Sequence, residues 1–119
     1  MFTNYENAKV VITGGANGIG KTLALGFAKR GSDVAIIDIH GVEAEAVAKE
    51  IRGMGRKSFA MQADVSVLDE CKAILDKTMA EFGRCDVLVN NAGVSALSDV
   101  EHIPEKDIRW VYETNVYSH

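Results

Sequence analysis

The sequence contains few of the features that mark fibrous, disulfide-linked or membrane-spanning chains. Its 119 residues include one proline and two cysteines, and apolar runs such as 34–37 are far too short to cross a bilayer. The 13 basic residues are scattered and are outnumbered by 17 acidic ones, for a net charge of −4. With no leader-like opening and no metal-ligand spacing, we expect a cytoplasmic chain without a metal, nucleic-acid or membrane partner.

Short apolar runs alternate with helical periods along the chain. The runs predict strands at 9–13, 33–38 and 86–90, and a weaker strand at 57–62. Three helices are predicted between them from apolar stripes, formed by Ile19, Leu23 and Phe27, by Ala44, Val47, Ile51 and Met54, and by Leu68, Cys71, Leu75, Met79 and Phe82. Pro104 predicts a fourth helix with Ile108, Val111 and Asn115 on one face. This alternation predicts a single α/β domain, a doubly wound parallel sheet of about four strands with helices on both faces.

The turn after the first predicted strand is rich in glycine and leads directly into a helix. It reads Thr-Gly-Gly-Ala-Asn-Gly-Ile-Gly at 13–20. A helix amino terminus leaves N–H donors unpaired and carries partial positive charge, and glycine lets an anion approach the main chain. An ordinary tight turn is the simpler alternative. We expect phosphate binding by this turn, with the candidate residues Gly14, Asn17, Gly18, Ile19 and Gly20.

The same turn also matches a second nucleotide-binding pattern. The spacing Gly15-x-x-x-x-Gly20-Lys21-Thr22 fits the P-loop, in which lysine and threonine serve a nucleotide and magnesium. The apolar strand that ends at Asp38 would supply the acidic partner of such a site. A P-loop nucleotide hydrolase is therefore an alternative interpretation of the turn.

Asp38 follows the last glycine of the turn at about the 20-residue spacing expected of a ribose-binding acid. At the end of a second strand, a carboxylate can accept both hydroxyls of an adenosine ribose and would repel a 2′-phosphate. No arginine or lysine follows at Ile39 or His40, and the histidines are expected to lie in solvated loops. Unless Asp38 only caps a loop, these residues favour NAD over NADP.

Five motifs, taken in order, resemble the short-chain dehydrogenase/reductase family. They are Thr13-Gly14-x-x-x-Gly18-x-Gly20, Asp38, Asp64-Val65, Asn90-Asn91-Ala92-Gly93 and Asn115, and they cover nearly the whole chain. A P-loop enzyme would have no reason to carry Asn-Asn-Ala-Gly after its fourth strand, so we favour this family. The resemblance implies a Rossmann-like fold, an NAD(P) cofactor, and hydride transfer between the nicotinamide and an alcohol or carbonyl carbon.

The resemblance also implies roles for the later motifs. Asp64 would hydrogen-bond the adenine edge with Val65 packed near the ring, although Asp64 would also suit a helix N-cap. Asn91 would tie the end of the fourth strand to its neighbour, and Gly93 would bring the backbone close to the cofactor. Asn115 would hold a water in the catalytic proton relay, unless it is only a polar residue on an exposed helix turn.

The serine and the Tyr-x-x-x-Lys pair that transfer protons in this family are not found in the expected place. In relatives they follow the element that here ends at His119, and Tyr5-x-x-x-Lys9 has the spacing but lies before the first strand. We therefore expect 1–119 to be a cofactor-binding domain truncated before the catalytic segment, with an alcohol or carbonyl substrate only in a full-length parent. The alternative is a non-catalytic dinucleotide-binding or interaction module that forms homo-oligomers through the last predicted helix and the open edge of the fourth strand.

Overall fold

Strands and helices alternate along the part of the chain that this computed structural model describes, residues 5–91 and the backbone of residues 109–111. In chain order the elements are β1 (Lys9–Thr13), α1 (Gly18–Lys29), β2 (Asp33–Asp38), α2 (Gly41–Gly53), β3 (Ser58–Gln62), α3 (Leu68–Phe82), β4 (Val87–Asn90) and β5 (Arg109–Val111). The four strands and three helices predicted within residues 5–91 are confirmed, with bounds that differ by at most one residue at the strands.

The strands form one parallel sheet in the order β3-β2-β1-β4-β5. From β1 to β4, the chain reaches each next strand by a crossover that contains one helix, α1, α2 or α3. The chain moves outward from β1 to β3 and then returns to the other side of β1 at β4. The sheet order therefore reverses between β1 and β4, and this reversal opens a crevice at the carboxyl ends of the strands.

Helices cover both faces of the sheet, as predicted. Successive strand residues point to opposite faces, so Val10 and Ile12 pack with α1 and α2, whereas Val11 packs with α3. Every residue of β2 is buried. A central strand covered on both sides has no solvent-facing positions, which explains the continuous apolar run at residues 34–37.

The buried face of α1 differs from its predicted stripe. Gly20, Ala24 and Ala28 are the buried residues, whereas Ile19 is 63% exposed. Leu23 and Phe27 lie half-buried beside the core. Small residues let the helix axis approach the sheet closely, and the larger side chains pack along the flanks of that contact.

The predicted stripe of α3 was wrong at Leu68 and Met79, whereas Cys71, Leu75 and Phe82 belong to or pack against the core as predicted. Its buried residues are Cys71, Ile74 and Thr78, and Leu68 and Met79 are exposed by about two fifths. Thr78 is buried because its hydroxyl donates a hydrogen bond of 2.7 Å to the carbonyl of Ile74, one turn earlier. A polar side chain satisfied within its own helix is not visible in an apolar periodicity.

The prediction of a helix through Val111 was wrong, because Arg109–Val111 form β5. This strand pairs in parallel with β4 over Val87–Val89, so the expected open edge of β4 is also wrong. An uncovered edge offers backbone donors and acceptors to any extended segment, and Trp and Val favour a strand. The rest of the predicted helix, including Pro104, Ile108 and Asn115, lies outside the described residues. No helix in the described part is long and apolar enough to span a membrane.

Candidate functional site

A cleft of about 360 Å³ opens at the carboxyl ends of β1, β2 and β3, beside the reversal of strand order. This is the position at which open α/β sheets bind ligands. The cleft is lined by Gly14, Asn17, Ile37, Asp38, Ile39, His40, Ala63, Asp64, Val65 and Asn91. It therefore brings together six of the predicted site residues from four separate segments of the chain. Gly18, Ile19 and Gly20 form the first turn of α1 beside it, and Gly93 and Asn115 lie outside the described residues.

Gly20 allows α1 to begin directly against the end of β1. A Cβ at this position would lie 2.0 Å from the carbonyl oxygen of Gly14 and 2.7 Å from the side-chain nitrogen of Asn91. That nitrogen donates a hydrogen bond of 3.0 Å to the same carbonyl. The glycine turn itself passes through φ +67° at Gly14 and φ +58° at Gly18, a left-handed region that favours glycine.

The first amides of the turn hold the turn against β2. The N–H of Gly14 donates to the carbonyl of Ile37 at 2.7 Å, and the N–H of Ala16 donates to Asp38 Oδ2 at 3.0 Å. The N–H groups of Gly18, Ile19 and Gly20, which begin α1, have no acceptor within the helix. Asn17 does not cap them with its side chain, and the turn contains no acidic residue. This helix end is therefore suited to an anion supplied from outside the chain.

Asp38 ends β2 inside the cleft and is only 8% exposed. Besides Ala16, its carboxylate accepts the backbone N–H of His40 at 3.0 Å and lies 3.0 Å from the Nδ1 atom of the same residue. The ribose-binding acid predicted from spacing is thus in direct contact with the glycine turn. A carboxylate has about four acceptor positions, so a ligand hydroxyl can add to these contacts or replace one.

His40 is a cleft residue that the sequence interpretation missed. It was expected to be a solvated histidine, but its imidazole contacts Asp38 and lines the cleft, with 58% of the side chain exposed. The Asp-x-His spacing is the signal that would have found it, because an aspartate often accepts the N–H two residues later and so turns that residue back toward itself.

Asp64 and Val65 form the wall of the cleft that follows β3. Asp64 Oδ1 accepts the backbone N–H of Ser66 at 2.9 Å and its hydroxyl at 2.6 Å. The Ser66 hydroxyl and then its amide hold the pKa of Asp64 below the usual range. The N-cap interpretation of Asp64 is wrong, because α3 begins after Val67, which has no side-chain cap. Val65 is buried and presents an apolar surface beside the exposed carboxylate.

The ends of β1 and β4 are joined by side chains. Thr13 donates its hydroxyl toward Asn90 Oδ1 at 3.3 Å and the carbonyl of Val89 at 3.4 Å. Together with the bond from Asn91 to Gly14, this contact ties the fourth strand to its neighbour, as expected. In the P-loop match, by contrast, the Thr22 hydroxyl donates to the carbonyl of Gly18 at 3.2 Å on an exposed helix surface. That hydrogen bond is an ordinary one within the helix.

The doubly wound sheet, the glycine turn at its reversal point and the acid at the end of β2 define a Rossmann-like protein. A family model described as short chain dehydrogenase matches residues 8–119. The chain therefore belongs to the short-chain dehydrogenase/reductase family, whose members bind NAD(H) or NADP(H). This membership overturns the P-loop interpretation of the glycine turn.

Individual relatives agree with this assignment. The chain is 40% identical over 107 residues to the 3-oxoacyl-(acyl-carrier-protein) reductase FabG of Staphylococcus aureus, covering 89% of this chain and 44% of that protein. It is 38% identical over 108 residues to the 7alpha-hydroxysteroid dehydrogenase of Escherichia coli, covering 91% and 42%. A solved 7 alpha-hydroxysteroid dehydrogenase complexed with NADH and 7-oxo glycochenodeoxycholic acid superposes with a TM-score of 0.71 at 34% identity, covering 76% and 37%. The chain thus spans less than half the length of the curated relatives it matches.

Proposed function

We propose that this chain binds NAD(H) in the described cleft and supplies the cofactor-binding part of an oxidoreductase. The reaction class is hydride transfer between a nicotinamide and an alcohol or carbonyl carbon. The observation that carries this proposal is the Asp38 carboxylate, which is nearly buried, ends β2 and accepts a hydrogen bond from the glycine turn. Its position supports a ribose acceptor beside a helix end suited to phosphate, at one cleft.

The residues present fit the parts of a dinucleotide. The uncapped first turn of α1 offers N–H groups to the pyrophosphate, and the space that a Cβ at Gly20 would fill lets that turn lie close to β1. Asp38 would accept the adenosine ribose hydroxyls. Asp64 and Val65 offer an acceptor and an apolar surface to the adenine. When bound, the nicotinamide would supply the hydride.

The charges around the cleft favour NAD over NADP. Among the described lining residues, Asp38 and Asp64 are carboxylates and none is lysine or arginine. The lowered pKa of Asp64 keeps that group ionised at neutral pH. A 2′-phosphate would therefore meet negative charge with no fixed cation to offset it, whereas a ribose hydroxyl would meet an acceptor.

We further propose that the 119 residues bind cofactor without turning over substrate. General acid or base catalysis requires a titrating group within hydrogen-bond reach of the reacting oxygen. Lys9 of the Tyr5-x-x-x-Lys9 match pairs with Asp33 at 2.5 Å, where β1 and β2 begin, at the sheet edge opposite the cleft. That pair cannot serve the cleft. Within the family's pattern, Asn115 would contribute to the proton relay and Gly93 would approach the cofactor.

Fluorescence titrations with NADH and NADPH test the site. We expect the chain to bind NADH at least tenfold more tightly than NADPH. Asp38→Asn should reduce the ratio of the NADPH to the NADH dissociation constant about tenfold, because it removes one negative charge and one acceptor. Asp76→Asn, the same change on the exposed surface of α3, should leave both affinities unchanged. Failure to bind NADH, or a preference unaltered by Asp38→Asn, would refute the proposed site.

A further inference from the structure

The side chain of His40 shares the acceptor on which the proposed ribose contact depends. Its Nδ1 atom lies 3.0 Å from Asp38 Oδ1, and the His40 backbone N–H donates to the same oxygen at 3.0 Å. Because an ionised carboxylate only accepts, Nδ1 carries the proton in this contact. Nε2 is then the position that a further proton would occupy. That second proton would add a positive charge beside Asp38 without breaking the existing bond.

Among the described residues, the lining of this cleft includes carboxylates but no lysine or arginine, and Glu70 of α3 lies behind it, where it accepts the Asp64 N–H at 2.8 Å. The titratable groups that line the cleft in the described residues are Asp38, His40 and Asp64. Asp64 is held ionised by Ser66. Glu43, in the first turn of α2, is the charged residue closest in sequence on the helix that follows His40. Protonation of His40 would therefore introduce the first positive charge among these lining groups, next to the carboxylate that discriminates between the two cofactors.

We propose that His40 is a specificity-determining residue that makes the preference for NAD over NADP depend on pH. This inference rests on the proposed dinucleotide site. Histidine is the side chain whose charge can change near neutral pH. In the neutral form, the Asp38 charge faces a 2′-phosphate without compensation. In the charged form, the imidazolium offsets that repulsion for NADP and binds Asp38 Oδ1 more strongly, so that this oxygen is less available to the ribose hydroxyls of NAD. The two affinities then converge as the pH falls.

Calorimetric titrations with NAD⁺ and NADP⁺ at pH 8.0 and pH 5.5 measure this convergence, since the oxidised cofactors tolerate acid. The quantity compared is the ratio of the NADP⁺ dissociation constant to that of NAD⁺. A phosphate monoester also gains a proton near pH 6, so some convergence is expected without His40. The variant His40→Gln keeps the backbone donor and stays neutral at both pH values, and it measures that background. Glu43→Gln is the matched control for a charge change in the next helix.

We expect the ratio to fall about threefold to fivefold more between pH 8.0 and pH 5.5 in the wild-type chain than in His40→Gln. This is the size of effect expected for one partly exposed charge pair. Glu43→Gln should behave as the wild type. An equal fall in the wild type and His40→Gln would overturn the role of His40 while leaving the site intact. If neither cofactor binds at pH 8.0, the proposed site itself is wrong and this inference is overturned with it.

Discussion

Gly20→Ala is the substitution that most directly tests how the glycine turn is built. Its Cβ would lie 2.0 Å from the Gly14 carbonyl oxygen, where ordinary contact begins near 3.4 Å, so the first turn of α1 must move away from β1 by more than an ångström. The movement would also displace Asn91, whose amide donates to that carbonyl. The Gly14 carbonyl is part of the backbone and the Asn91 amide is hydrogen-bonded to it, so moving either group costs free energy.

The expected loss of stability follows from these contacts. Overpacking a tight site costs about 1–3 kcal/mol, and losing one intramolecular hydrogen bond costs about 1 kcal/mol. Alanine returns at most about 1 kcal/mol through its better helix propensity. We therefore expect the free energy of unfolding to fall by about 1–3 kcal/mol and NADH binding to be lost. Gly26→Ala in the same helix meets only the flexible end of Arg30, at 3.6 Å, and should raise stability by about 0.5–1 kcal/mol.

Urea unfolding and NADH titration of the two variants, measured side by side, give the result. If Gly20→Ala is as stable as Gly26→Ala and binds NADH with wild-type affinity, the turn does not depend on the close approach of α1 to β1. Glycine would then not be required at position 20 by the contacts with Gly14 and Asn91.

Two further predictions concern groups outside the cleft. Burial raises the pKa of Asp33, but hydrogen bonds from Lys9 and the Lys57 amide outweigh it and hold the pKa below the usual range. Its stabilising effect is therefore present above about pH 4 and lost as the pH falls further. Asp33→Asn should lower the free energy of unfolding by about 2 kcal/mol at pH 7. Urea unfolding at a series of pH values should also show a smaller loss of stability below pH 4 in this variant than in the wild type, and an equal loss would contradict this. Burial, with a smaller contribution from Asp86, raises the pKa of the Cys85 thiol to about 12. Iodoacetamide at pH 8 should label Cys85 in urea but not in the folded chain, and peptide mass spectra showing equal labelling would disprove it.

Much of the fold was predictable because the information is local. A strand buried on both faces needs consecutive apolar residues, and β2 provides them from Val34 to Ile37. The ends of two helices were equally predictable, because a glycine follows each of them. Gly31 and Gly83 take positive φ values of 93° and 79° just after α1 and α3. The phase of the helix stripes was harder to predict, because it depends on how closely each helix approaches the sheet. Ala24 is buried and Ile19 is exposed for that reason.

The fifth strand shows a second limit. Pro104 and an apolar spacing predicted a helix through Val111, yet a neighbouring edge can recruit the same residues as a strand. Local propensity is weak when an exposed row of backbone donors and acceptors is nearby. The segment's state thus depends on β4, which lies about twenty residues earlier in the chain.

The amino-acid sequence alone specified the alternation of strands and helices, the glycine turn and the acid at the end of β2, because each is encoded within a few consecutive residues. The tertiary structure determined which of these groups contact one another at the cleft. Gly20 is required because Asn91 and the Gly14 carbonyl, which are 77 residues apart, meet beside it. Asp38 likewise faces the turn and His40 only because β2 lies next to β1. Contacts between distant segments have no local pattern, and they determine the chemistry of the cleft.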